Sequence, residues 1–170
     1  PLLATVGVVG AFAAPLLVGS TVPATPWLYL YFGVVAAVGL GIDTVRRWAW
    51  VSALSVGLGL GMGWMTVNAG GADMTLGFQA HVIALAFLAI VLPARSFMPD
   101  HGGVLIATWA RTVTGPRPGF PTMLAGAAVG LAVAGLAWTS TIGAEPFWMA
   151  VLSLVMLTLA LIFWSVSAPA

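Results

Sequence analysis

The feature that most constrains this chain is a recurrence. Apolar runs of about 20 residues, each long enough to cross a hydrocarbon core as a helix, follow one another with only short Gly, Pro and charged punctuation between them. Only 5% of the 170 residues are charged and 61% are hydrophobic, whereas a water-soluble domain covers its surface with about a quarter charged residues. The solvent for such a chain is lipid. A chain in lipid must satisfy its backbone polar groups internally, which leaves helices or closed barrels. Barrel strands would alternate in polarity, and these runs do not. The fold class is therefore all-α integral membrane.

Six segments qualify as transmembrane helices, near 2–19, 26–43, 48–67, 77–94, 122–141 and 146–165. Pro15 lies inside the first and is expected to kink it, and Pro23 and Pro26 shape the connection that follows. Thr25 and Pro26 form an N-cap and first-position pair for the second. The turn "NAGGADMT" separates the third and fourth spans, and "TSTIGAEP" separates the fifth and sixth. Residues 95–121 contain an apolar stretch too short to span. Leu105, Ile106, Trp109, Ala110 and Val113 share one helical side, with Thr108, Arg111 and Thr112 opposite. This pattern suits a short interfacial helix in the loop between spans four and five, and an irregular loop packed on the helix ends is the alternative.

The five basic residues are all arginines, and all fall in alternate connections. Arg46 and Arg47 lie between spans two and three, and Arg95, Arg111 and Arg117 between spans four and five. The other connections carry Asp73 and Glu145 and no base. The positive-inside rule makes the arginine face of this multi-pass chain cytoplasmic. Trp48 and Trp50 beside the arginine pair, and Trp27 and Trp148 at the other face, fit aromatic belts. Asp43, three residues before Arg46, allows a local ion pair at the interface, worth little.

The segments "VGAFAAPLLV" and "LYLYFGVVAAVGLGIDTVRRWAWVSALSVGLGLGMGW" together resemble the domain of unknown function 2339 family, large bacterial predicted membrane proteins. The resemblance rests on Pro15, Leu16 and Leu17 closing a Gly-rich span, on the Arg46-Arg47-Trp48 turn and on Trp64 ending the next span. It covers residues 1–67 and weakens to about 95. The apolar runs make residues 1–170 a single polytopic membrane region, and the resemblance implies that it is a fragment of a longer protein of the bacterial inner membrane; it supplies no activity and no catalytic residue.

Glycine spacing points to helix packing. Gly57/Gly61 and Gly59/Gly63 are overlapping GxxxG pairs, and Gly126/Gly130 repeats the device in the fifth span. Such pairs let helices approach closely. The run "GLGLGMGW" lacks the spacing and the strand context of a nucleotide loop.

Polar residues in lipid are costly and invite functional readings. Asn68, Asp73, Gln79, His81 and Glu145 all fall toward the non-cytoplasmic side and define a candidate polar pocket. His81, about one turn inside the fourth span, is the residue with proton-relay or metal-binding chemistry. Interface capping is the favoured reading of these residues, because their spacing matches no ligand set. With no cysteine in the sequence, thiol chemistry and disulfides are excluded, and neither a metal nor another cofactor is expected. So few basic residues exclude nucleic acid as a partner, which leaves the lipid bilayer and other transmembrane helices. The leading expectation is a structural or interaction module of a larger membrane protein or complex. A segment of a solute or lipid transporter and a lipid-modifying enzyme using Asp73, His81 or Glu145 are the alternatives.

Overall fold

The computed structural model describes residues 2–18, 25–46, 48–94 and 120–141, together with residues 153, 155 and 159. Within these the chain is helical: α1 is Leu2–Val18, α2 Trp27–Arg46, α3 Ala49–Gly70, α4 Thr75–Ala94 and α5 Phe120–Thr141. A single 3-10 turn, Gly71–Met74, joins α3 to α4. Four of these, α2 to α5, are long and apolar enough to cross a membrane, while α1 is shorter at 17 residues. The expected sixth span at 146–165 and the expected interfacial helix within 95–121 fall outside the described residues.

Helix ends differ from the sequence-based bounds by a few residues, for local reasons. α2 runs to Arg46 and not to 43, where a basic side chain in the last turn complements the helix dipole. Its start follows the Thr25-Pro26 pair, whose carbonyls accept from the amides of Leu28 and Tyr29 at 3.0 and 3.1 Å. α3 runs to Gly70, and Met74 of the 3-10 turn folds back over that glycine, filling the space a side chain there would need.

The three helices α2, α3 and α4 pack on one another; α1 lies against α2 and α3, and α5 against α4 and α3. From α2 to α5, sequential neighbours run antiparallel. On the α2–α3 seam Asp43 meets Ser52, Gly39 meets Ser55 and Ala36 meets Gly59. On the α3–α4 seam Gly59 meets Leu85 and Gly63 meets His81. On the α4–α5 seam Phe78 meets Gly135 and Gln79 meets Thr139. Small residues thus alternate with large ones, which is how helices gain packing in a solvent as apolar as their own side chains.

An aromatic chain crosses the bundle at one level. It runs from Phe12 to Phe32, on to His81 and Tyr29, then to Phe78, Trp64 and Trp138, with ring centroids 4.4–6.5 Å apart at each step. Five helices contribute to it. Leucine, valine and methionine side chains such as Leu2, Leu17, Val34 and Met65 face outward, as a lipid solvent allows.

Candidate functional site

Among the described residues, buried polar side chains tie helices together at three places. The first centres on His81, which is 3% exposed and sits on α4 at the junction with α2 and α3. Its Nδ1 lies 3.1 Å from the carbonyl oxygen of Tyr29 on α2, and its Nε2 lies 2.9 Å from the carbonyl oxygen of Gly59 on α3. A second lone pair on a helical carbonyl is available for such a bond after the backbone amide has taken the first.

The room for the imidazole comes from Gly63. A Cβ at Gly63 would stand 2.8 Å from Cδ2 and 3.2 Å from Nε2 of the ring. Gly59 and Gly63 therefore act together on one face of α3, one supplying a carbonyl and the other supplying space. Tyr29 covers a further side of the ring at 5.4 Å between centroids, and Phe32 approaches edge-on at 6.4 Å. Tyr29 in turn lies across Gly77, where a Cβ would come within 2.7 Å of its ring.

The second tie joins α4 to α5. The amide nitrogen of Gln79 donates to the hydroxyl of Thr139 at 3.1 Å, and that hydroxyl donates to the carbonyl of Leu136 at 2.8 Å. Thr75 lies one turn before Gln79 on α4 and is fully buried. The Thr75 hydroxyl, the Gln79 amide oxygen and the Tyr29 hydroxyl have no hydrogen-bond partner among the described residues.

The third tie closes the α2–α3 hairpin at its other end. The hydroxyl of Ser52 donates to the carboxylate of Asp43, and both residues are buried. This places Asp43 inside the seam, where an interface-exposed position was expected. Asp43 faces α3 and is 1% exposed, while Arg46 is exposed in the last turn of α2. Nothing in the spacing of Asp43 and Arg46 distinguishes the two arrangements. The signal lies in the partner helix, where Ser52 and Ser55 place hydroxyls on the face that α2 covers.

Of the five residues expected to share an outer pocket, the structure describes four. His81 and Gln79 are buried on different sides of α4, facing α2 and α3 in one case and α5 in the other. Asn68 is exposed near the end of α3 and donates back to the Trp64 carbonyl at 2.7 Å. Asp73 is exposed in the 3-10 turn, and Glu145 lies outside the described residues. Among the described residues no group of three or more His, Cys, Asp or Glu is placed to hold a metal ion.

The glycine pairs divide in the same way. Gly59 and Gly63 are buried on the inner face of α3, whereas Gly57 and Gly61 on the same helix, and Gly126 and Gly130 on α5, have nothing within 4 Å of the position a Cβ would take. The tightest fit at a glycine on a helix seam falls elsewhere, at Gly39 on α2, where a Cβ would land on the hydroxyl of Ser55. Gly39 and Ser55 carry no GxxxG signature, and only the antiparallel register of the two helices brings them together. Trp48 and Trp50 are half-buried beside the α2–α3 turn and pack on the core. Arg47, Arg95, Arg111 and Arg117 lie outside the described residues.

Three further hydroxyls in the spans bond locally. Thr66 donates to Met62 at 2.8 Å, Thr44 to Gly41 at 2.7 Å and Ser140 to Ala137 at 2.6 Å, so each uses a carbonyl of the preceding turn. Tyr31 instead reaches across to the carbonyl of Ala11 on α1 at 2.8 Å.

One family model, described as Predicted membrane protein (DUF2339), matches residues 1–169, which extends the resemblance seen in the first third of the sequence to essentially the whole chain. Comparison with curated proteins and with solved structures returns no match.

Proposed function

We propose that this chain, which belongs to the DUF2339 family of predicted membrane proteins, serves as a helix-packing module of a larger membrane protein or complex. The observation that carries this reading is the setting of His81. Its two ring nitrogens sit against backbone carbonyls of two other helices, and Gly63 closes on its edge. A catalytic or ligand-binding imidazole needs one nitrogen directed at a reacting group; in this bundle both are directed at helix backbone. Gln79 and Asp43 likewise bond to side chains of neighbouring helices.

The outward glycines supply the other half of the reading. Gly57 and Gly61 on α3 and Gly126 and Gly130 on α5 leave shallow tracks on the outside of the bundle, the form of surface on which a further transmembrane helix packs closely. The orientation that goes with this role puts the Arg46 end of α2 in the cytoplasm of a bacterial cell, by the arginine bias of the alternate connections.

The test is to replace Gly61 or Gly130 with Leu. Either side chain extends into open space, so the bundle itself is expected to fold unchanged, while the complex extracted in mild detergent migrates at a smaller size. A complex of unchanged size for both variants would refute the packing role. Loss of uptake of a solute at unchanged complex size would point to the transporter alternative.

A further inference from the structure

His81 poses a question of proton count that the packing role does not answer. A backbone carbonyl oxygen only accepts hydrogen bonds. A neutral imidazole carries one N–H and one lone pair, so it can donate at only one of its two nitrogens. Both nitrogens of His81 lie within hydrogen-bond distance of such an oxygen, Tyr29 O at 3.1 Å and Gly59 O at 2.9 Å. The neutral ring therefore ties α4 to α2 or to α3, and sets a lone pair against the other carbonyl. The ring with a second proton donates at both.

We propose that His81 is a proton-operated tie. Taking up one proton from the aqueous phase converts its single interhelical bond into two, and α2 and α3 are then held to α4 together. The step forms one N–H bond, breaks no covalent bond in the protein and needs no redox partner.

Among the described residues the groups placed to accept from the ring are the two backbone carbonyls and not a carboxylate. From α2 the titratable side chain that faces it is Tyr29. α3 presents Gly59 and Gly63 and has no titratable residue in its length, and the same is true of α1 and α5; on α4 His81 is the only one. The carboxylate of Asp43 lies 14 residues along α2 from Tyr29, a helical distance of roughly 21 Å. Among the described residues, what meets the ring is two carbonyl oxygens, each able to accept from a ring N–H, and the rings of Tyr29 and Phe32. His81 also lies six residues from the first residue of α4, roughly 9 Å along the helix, so a proton need not cross the bilayer to reach it.

The proposal stands independently of any assembly role, because it concerns bonds within the chain. The test is solid-state NMR of the chain in lipid bilayers with 15N-labelled histidine. The sequence contains two histidines, and a His101→Asn variant assigns the signals. On acidification from about pH 8 to about pH 4, a range that contains and extends below the window in which free imidazoles change charge, His81 is expected to pass from one N–H group to two. Both N–H protons of the charged form should resist exchange with water, and backbone amide exchange in α2 and α3 should slow several-fold on acidification, beyond the intrinsic pH dependence of exchange. A His81→Gln variant should lose that extra slowing. The proposal is overturned by a single N–H across the whole range, by a charged ring whose protons exchange freely, or by amide protection that does not respond to pH in the unsubstituted chain.

Discussion

Gly63 on α3 and His81 on α4 fit edge to void: a Cβ on the glycine would stand 2.8 Å from Cδ2 of the imidazole. The same ring that needs this space also reaches the Gly59 carbonyl one turn earlier. A pair of glycines four residues apart thus serves a histidine from another helix, and the two features that look unrelated in the sequence form one unit of packing.

The α2–α3 seam makes a sharper steric demand. Gly39→Ala would place its methyl on the hydroxyl of Ser55 and 2.8 Å from the Ser55 Cβ. Two helix backbones would have to separate, at a cost of about 1–3 kcal/mol. Unfolding in mixed micelles should show that loss, and Ser55→Gly in the same chain should restore most of it. Gly41→Ala, with open space at its Cβ, should change stability by less than about 0.5 kcal/mol. Equal effects at the two glycines would mean that the seam does not close at Gly39 and Ser55.

Asp43 and Ser52 make a related prediction at the arginine end of the same seam. Ser52→Ala removes the hydroxyl that donates to the buried carboxylate, and a buried charged group that loses a donor costs about 1–3 kcal/mol. Asp43→Asn keeps the shape and lowers the demand for donors. The double variant should therefore cost less than its two parts together by more than about 0.5 kcal/mol. Strict additivity would show that the two side chains do not share a bond in the membrane.

The proposed orientation is open to direct labelling, because the sequence has no cysteine. Val45 is 65% exposed in the last turn of α2, and Ala69 is exposed in the last turn of α3, at the opposite end of the bundle. With an impermeant thiol reagent on intact cells, Ala69→Cys should label and Val45→Cys should label only after the membrane is opened. The reverse pattern would invert the orientation.

The membrane-spanning helices are legible in the sequence because apolar length leaves a lipid-solvated chain little choice, and the bounds of α2 to α5 fall within a few residues of those read from hydrophobic runs. The polar interior is harder. His81 announces itself as an imidazole inside an apolar run, but the sequence does not say which carbonyls it meets, since these belong to Tyr29 and Gly59 on other helices. Gln79 and His81 look like members of one pocket because they are two residues apart. Two residues turn a helix by about 200°, and that turn sends one toward α5 and the other toward α2 and α3. Asp43 reads as interfacial because its position near the end of an apolar run is compatible with either face, and only Ser52 across the hairpin decides it. Gly39 gives no signal of its own, since its close partner is a serine and not a second glycine.

If the buried polar and glycine positions are fitted to one another as helix ties, a double-mutant cycle on Gly63 and His81 shows it most directly. Gly63→Ala in the otherwise unchanged chain drives a methyl into the imidazole and should cost about 1–3 kcal/mol in reversible unfolding from bilayers or mixed micelles. In a His81→Ala background the ring is gone, and the same Gly63→Ala change should cost less than about 0.5 kcal/mol, because the new methyl enters space the ring has left. If the two substitutions instead add to within about 0.3 kcal/mol, the glycine and the histidine are not in contact, and the interior is not held together by such ties.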